Sequence, residues 1–480
     1  MNFRAIGFVS GSALMAQAAF MSVPVLCSLL MGESCLSFLG TAFVCLAVGC
    51  PMYFFSRRDV HLRARDGLAA TGICWLVLSL TGMVPFLLQR ATGPVDAFFE
   101  TVSAYTTTGA SILTDVEALS KGLLMWRSFM HWIGGMGILV FMMTLSRSAG
   151  SEQMNLMKAE SPGPVISKLL PRAKDTAKML YGIYAFLTVM TIVVLKLSGL
   201  PFFDSFCLAF GAAGTGGFTV LNSGCASYTA VQQTIIATAC MMFGINFSFY
   251  FFLYVRRFKL ALSMEEVRAY FCIIAAAVLL ITAGLCLSGP YDRPLAALHD
   301  AYFQTCSIMT TTGYCVADMN LWPVSSKLII LMLMLCGACA GSTGGGLKVS
   351  RILFMIRSFV RECSLVVRPG RVRRIHMDGK VTDESVIRNT GAYVFAAALL
   401  MLFTILVLAF TEPFDMETLV SGVVACFNNI GPGFGKCGSF GNYAEFSSFS
   451  KVLLALNMLT GRLEIFPIVL LFSKDIWRRF

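Results

Sequence analysis

The sequence predicts an all-α polytopic membrane protein, with four copies of a span, short helix, glycine turn and second span around one axis, preceded by two further transmembrane helices. Three observations predict it. Of 480 residues, 57% are hydrophobic and only 13% charged, with a mean hydropathy of +0.75, so the bilayer must be the solvent. Ten apolar runs approach or exceed the roughly 20 residues a helix needs to cross the hydrocarbon. A glycine-centred turn occurs four times, at Thr106–Ala110, Gly214–Phe218, Thr310–Tyr314 and Asn429–Gly433.

The first run, Phe8–Leu30, follows Arg4 and contains Ala16-Gln17-Ala18, a signal-like start. It continues well beyond a signal h-region of about 7–15 residues, so it is expected to stay as a span. Ser37–Phe55 is the second, and residues 1–66 hold this pair. Repeat one (67–150) has spans Gly67–Leu88 and Gly122–Leu145. Residues 151–258 hold a cytoplasmic loop and repeat two, with Met179–Leu200 and Val231–Val255. Repeat three (259–360) has Ala269–Leu287 and an interrupted Leu328–Ile356, and residues 361–480 hold a basic loop and repeat four, with Gly391–Phe410 and Val452–Phe472. With both termini inside, 28 of the 37 Lys and Arg residues fall in cytoplasmic segments, a strong positive-inside bias. The net charge of +11 therefore reads as topology, and no folded basic face for nucleic acid is expected.

Between the two spans of each repeat lies a short segment opened by proline: Pro94, Pro201, Pro294 and Pro413. Asp96, Asp204, Asp300 and Thr418 each stand 13 residues before their glycine. Asp and Thr are good N-cap residues and proline tolerates the first helical turn, so each segment reads as a helix of about ten residues, too short to span. Its C-terminal carbonyl end points toward the axis, a favourable field for a cation. Non-helical backbone survives at membrane depth only against protein or water, which four converging turns satisfy. A ring of carbonyls from Thr107, Thr108, Gly109, Thr215, Gly216, Gly217, Thr311, Thr312, Gly313, Asn429, Ile430 and Gly431 replaces the hydration shell of a small cation, and the threonine hydroxyls can add ligands. A single such turn would more simply be a helix break or a close helix contact; four copies at matching places favour the ring.

Other chemistry is sparse. The 17 cysteines lie mostly in apolar spans, where they act as small hydrophobes. Cys225, Cys315 and Cys437 fall near outer loops, and a disulfide among them and free thiols both remain open. His61, His131, His299 and His376 are scattered without ligand spacing. No nucleophile elbow or zinc-protease motif marks an enzyme, and Gly431–Cys437 lacks the spacing of a phosphate loop.

The four turns, in this order and spacing, resemble the filter loops of the Trk/Ktr/HKT superfamily of K⁺ transporters over about Gly67 to the C-terminus. The two extra N-terminal spans resemble the TrkH branch. The resemblance implies one pore per subunit, a homodimer, and a K⁺ ion in the filter as the only bound group, with Rb⁺ a possible substitute. It carries the filter glycines to Gly109, Gly217, Gly313 and Gly431. Glycine rather than serine at Gly109 implies K⁺ over Na⁺, while Ile430 and Pro432 make the fourfold symmetry approximate.

Residues 337–346 contain five glycines and should unwind within the membrane. The resemblance makes this stretch, with Gly341, Ser342, Thr343, Gly344, Gly345 and Gly346, a gate beneath the filter. Arg462 lies mid-span, where a charge needs water or a partner; a local ion pair, for instance with Glu464, is one reading, and the resemblance implies a pore arginine opposing cations. The ten basic residues of Lys348–Arg388 suit anionic lipid; the resemblance adds docking of a cytosolic nucleotide-binding regulatory subunit of the TrkA type. The expected location is the bacterial cytoplasmic membrane. The alternative is an H⁺- or Na⁺-coupled symporter, which also uses repeats and broken helices but normally places acidic or histidine relays within its spans.

Overall fold

The computed structural model describes residues 3–56, 64–137, 173–288, 291–368 and 373–472. Most of the cytoplasmic segments expected at 57–66 and 147–178, the end of the Gly122–Leu145 run, part of the 368–374 basic cluster and the 474–480 tail lie outside the described residues. The N-terminal pair comprises helices Phe3–Phe20 and Ser22–Leu30, then Leu36–Ser56. Small residues let this pair meet closely: a Cβ on Gly49 would stand 2.9 Å from the Leu14 Cβ.

Each repeat begins with a long apolar helix: Ala64–Gly82, Ala173–Leu197, Glu265–Ser288 and Glu384–Thr411. Their outward faces carry exposed Leu80, Phe186, Leu279 and Phe410, one on each helix, as lipid-facing helices do. A short re-entrant helix follows, at Pro94–Tyr105, Phe202–Gly214, Pro294–Met309 and Met416–Phe427. These four are largely buried.

The capping expectation needs correction. Asp96, Asp204 and Thr418 occupy the first turn rather than the N-cap, and Asp300 lies a turn further in. Only repeat four has an aspartate cap, Asp415, which accepts from Thr418 N–H and Oγ1. Those bonds hold its carboxyl below the usual range. Two of the offset residues brace the starts of these helices instead: Lys451 Nζ lies 2.7 Å from Asp96, and the Tyr291 hydroxyl donates to Asp300 at 2.6 Å. Proline's fixed φ at the first helical position starts two of these helices without a side-chain cap, while in repeat two Pro201 stands at the N-cap itself.

The expectation of ten spans, with only Leu328–Ile356 interrupted, also needs correction. Among the described residues, six helices are long and apolar enough to cross, or seven counting one bent pair. Every second helix of a repeat ends early, at Met136, Phe243, Cys336 and Arg462. In repeat two the Val231–Val255 run bends by 89° at Gly244-Ile245-Asn246, where the Asn246 side chain caps a new helix by accepting from Ser248 N–H. In repeat four Glu464 and Ile465 adopt positive φ (57° and 68°). Apolar residues continue through the breaks in repeats one and two, which hides them from hydropathy. The Leu328–Ile356 run stops at Cys336 and resumes as the amphipathic helix Val349–Val367. Beyond it, within the basic loop, an Asp378-Gly379 turn joins the two-residue strands His376–Met377 and Lys380–Val381.

Candidate functional site: a ring of four glycine turns

The four turns meet. A Cβ on Gly109 would lie 1.9 Å from the Gly216 carbonyl oxygen; on Gly217, 2.0 Å from Thr312 O; on Gly313, 1.9 Å from Ile430 O; on Gly431, 2.7 Å from Thr108 O. Each repeat thus abuts the carbonyl of the next, and the fourth closes on the first. The carbonyls belong to the residue before each glycine, so the ring has four equivalent positions. The backbone repeats as well. Thr107, Thr215, Thr311 and Asn429 have φ of 55–62°, and Gly109, Gly217, Gly313 and Gly431 have φ of 76–94°. Alternating handedness over three residues turns successive carbonyls toward one side, a course few side chains tolerate.

The threonine hydroxyls brace this geometry. Thr106 and Thr108 Oγ1 pair at 2.8 Å, and Thr310 and Thr312 repeat the contact. Thr107 and Thr215 donate to the preceding carbonyl, which leaves hydroxyl lone pairs as acceptors. Asn429 takes the place of threonine in repeat four, its Nδ2 donating to Thr108 Oγ1 and Met458 O. Outside the ring, a vestibule lined by Phe218, Asn222, Cys437 and Tyr443 opens to the surface. Cys225, Cys315 and Cys437 are all buried free thiols, and the last two line this vestibule.

Residues 337–348 lie directly inside the ring. Gly345 N–H donates to Thr311 Oγ1 at 2.6 Å, and a Cβ on Gly345 would stand 2.4 Å from Asn428 O. The helix break here includes Gly337, Gly341, Gly346 and Lys348 at positive φ. Thr343 Oγ1 donates to Phe243 O and Ser342 Oγ to Cys339 O. Buried Arg462 donates to Thr343 O (2.8 Å), Gly134 O (2.6 Å) and Gly135 O (2.7 Å), joining this loop to the end of the repeat-one helix. Glu464 pairs with Arg351 at 2.6 Å, so the local partner considered for Arg462 is engaged elsewhere. Lys348 is buried beside these groups and donates to Gly344 O. Gly344, Gly345, Gly346, Lys348, Arg462 and Glu464 leave a cavity of only about 10 Å³, room for about one water.

Against this geometry, residues 36–479 match the family model described as a cation transport protein, TrkH. The chain belongs to the TrkH family. It is 33% identical to the Trk system potassium uptake protein TrkH of Salmonella typhimurium and 34% identical to that of Vibrio parahaemolyticus, covering 100% of both chains in each case. It superposes on the crystal structure of the potassium transporter TrkH from Vibrio parahaemolyticus with a TM-score of 0.90, at 31% identity over 100% of each chain. The relatives are named for transport rather than for catalysis.

In this TrkH-family chain, folding also brings up functional groups that sequence reasoning passed over. Glu266, near the start of the Glu265–Ser288 helix, is buried. Its Oε1 accepts from Ala340 N–H (2.7 Å) and Ser350 N–H (3.1 Å), so one carboxylate pins both flanks of the glycine loop. Two acids in the first turn of a helix carry no local signal of this kind; only the distant loop reveals the role. Glu266→Gln keeps an acceptor but loses the charge that strengthens both bonds. Basal cation flux through the purified protein should rise while relative cation preference stays constant; unaltered basal flux would remove Glu266 from control of the loop. His131, dismissed as scattered, packs behind the ring: its ring would lie 2.2 Å from a Cβ on Gly216, and its Nδ1 is 2.8 Å from Ala104 O. Glu100 and Arg127 form a buried ion pair at 2.6 Å. Cys336 and Cys339 form a C-x-x-C spacing, as buried free thiols flanking Gly337. Reading the cysteines as small hydrophobes with no C-x-x-C pair among them missed this spacing, which stands in the sequence itself.

Proposed function

We propose that this protein is the channel-like pore subunit of a potassium uptake system. The observation that carries the reading is the closed ring of Thr108, Gly216, Thr312 and Ile430 carbonyls, each against the glycine of the preceding repeat in the cycle. Four such dipoles, backed by the C-terminal ends of four re-entrant helices, can replace the hydration shell of a monovalent cation. Close relatives named for potassium uptake support K⁺ as that ion, with Rb⁺ accepted by similarity of size.

Thr107, Thr108, Gly109, Thr215, Gly216, Gly217, Thr311, Thr312, Gly313, Asn429, Ile430 and Gly431 form the filter. Gly341–Gly346 and Arg462 form the gate on its inner side. The cavity for about one water among them supports a closed conformation. The protein works in the bacterial cytoplasmic membrane with both termini cytoplasmic, as its Lys and Arg distribution supports. It acts as a homodimer with membrane lipid around it. A cytosolic TrkA-type subunit binds nucleotide and docks on the basic Lys348–Arg388 segment, whose amphipathic helix adjoins the gate loop directly.

The test is cation flux into liposomes holding the purified protein, comparing K⁺, Rb⁺, Na⁺ and Li⁺ beside a Gly313→Ser variant. K⁺ and Rb⁺ should enter well ahead of Na⁺ and Li⁺, and the variant should lose that preference. Equal flux of all four ions, unaltered by the substitution, would sink the filter assignment. Flux strictly coupled to a proton gradient would favour a symporter instead.

A further inference from the structure

Glu100 sits on the repeat-one re-entrant helix, nine residues before Gly109. The corresponding positions in the other repeats are Leu208, Gln304 and Gly422, so the scaffold itself does not need a charge there. Burying an ion pair costs several kcal/mol per ion before the attraction is counted. What the pair touches points to its use. Glu100 Oε1 accepts from Arg127 Nε (2.9 Å) and Nη2 (2.6 Å). Its Oε2 accepts from Ile112 N–H at 3.1 Å, and both oxygens lie 3.1 Å from Ser111 Oγ. Ser111 and Ile112 begin the irregular stretch, an exit strand outside any sheet, that leaves the first glycine turn. The Arg127 guanidinium lies 4.0 Å over the ring of Phe218, the residue after Gly217. Ser111 O in turn accepts from Tyr443 N–H at 2.8 Å, and the Tyr443 hydroxyl donates to Gly431 O at 2.9 Å.

We propose that the Glu100–Arg127 pair is a strut that sets the filter's selectivity, holding the exit strand of the first turn against the second turn and, through Tyr443, the fourth. Discrimination by a carbonyl ring depends on the number, spacing and stiffness of its oxygens. The pair supplies stiffness where the ring joins repeats one, two and four. It also balances charge at the outer mouth, because Arg127 lines the vestibule. Breaking the pair from either side therefore loosens the same strand but leaves opposite charges behind. These are positioning residues, and they rest on the reading of the ring as a K⁺ filter.

The experiment measures the K⁺-to-Na⁺ permeability ratio and external Ba²⁺ inhibition in liposomes, for the full chain and for Glu100→Gln, Arg127→Met and the double variant. Each single substitution should lower the ratio about tenfold, the scale of one buried charged hydrogen bond, with the double variant no worse than the poorer single. Ba²⁺ should inhibit Arg127→Met more strongly than the parent, because a carboxylate is left beside the mouth, and Glu100→Gln more weakly. A packing role alone would move both in the same direction. An unchanged ratio in both transporting singles, or Ba²⁺ shifts of the same sign, would overturn the proposal. If a single variant fails to reach the membrane folded, Arg127→Lys decides. It keeps the charge but loses the two-pronged bond and the flat contact with Phe218, so the ratio should still fall, and a parental ratio would overturn the strut. A parental protein with no K⁺ preference would instead count against the filter reading itself.

Discussion

Replacing Arg462 with alanine should raise basal cation flux by tenfold or more. The guanidinium comes from repeat four, holds Thr343 O of the repeat-three loop, and holds Gly134 O and Gly135 O at the end of the repeat-one helix. It ties three repeats together beside the ring, where the proposed gate lies. Hydrogen bonds from a charged donor contribute about 1.5–3 kcal/mol each. Loss of one such bond from the closed arrangement alone shifts an open–closed ratio about tenfold, since 1.4 kcal/mol is a factor of ten. Alanine also removes a positive charge that repels the permeating cation, so both effects have the same sign. Arg462→Lys separates them: it keeps the charge but not the planar fork that reaches three carbonyls. Its flux should fall between those of the parent and the alanine variant. Parental flux from a folded Arg462→Ala protein would mean that the arginine neither closes nor charges the path.

The second large effect is graded around the ring. Alanine at Gly109, Gly217 or Gly313 would force a Cβ to within 1.9–2.0 Å of a ring carbonyl, while at Gly431 the approach is 2.7 Å. All four positions also have positive φ, which costs a residue with a Cβ about 1–2 kcal/mol. The strain is shared, so the clash sets the order. The first three substitutions must push aside the oxygen that the ring presents, and they should abolish K⁺-over-Na⁺ preference. Gly431→Ala should retain part of it. Relative permeabilities of the four variants check this; a Gly431→Ala protein as unselective as the others would mean that backbone strain, not carbonyl displacement, controls the ring.

Much of this architecture was legible because its signals are local and repeated. A glycine with its threonines, set 13 residues after Asp96, Asp204, Asp300 or Thr418, marks each turn wherever it falls in space. The run of glycines at 344–346 announces an unwound segment through backbone propensity alone. Arg462 stands out because hydrocarbon penalises charge. The breaks in repeats one, two and four were not legible. Gly137 follows Gly134 and Gly135 in an otherwise apolar run, Gly244 is a lone glycine in another, and Glu464 stands two residues past Arg462 with no backbone signal of its own; each break is stabilised by a distant partner. The Gly244 carbonyl, for example, receives Cys339 N–H from the repeat-three loop. Glu266 and Glu100 were hidden for a related reason: a carboxylate on a helix reads as a solvated face until the loop that covers it is known.

The sequence by itself determined the membrane class, the fourfold repeat, the glycines that must bend and the arginine that must find partners, because hydrophobicity, backbone freedom and charge are properties of residues in their own neighbourhoods. Only the tertiary structure decided that each turn abuts the next repeat's carbonyl, that Arg462 joins three repeats, and that Glu100 and Glu266 bind strands and loops far along the chain. Those contacts form between segments about 10 to more than 300 residues apart. Hydrogen bonds and ion pairs act over a few ångströms, so their partners are fixed by how the repeats close around the axis.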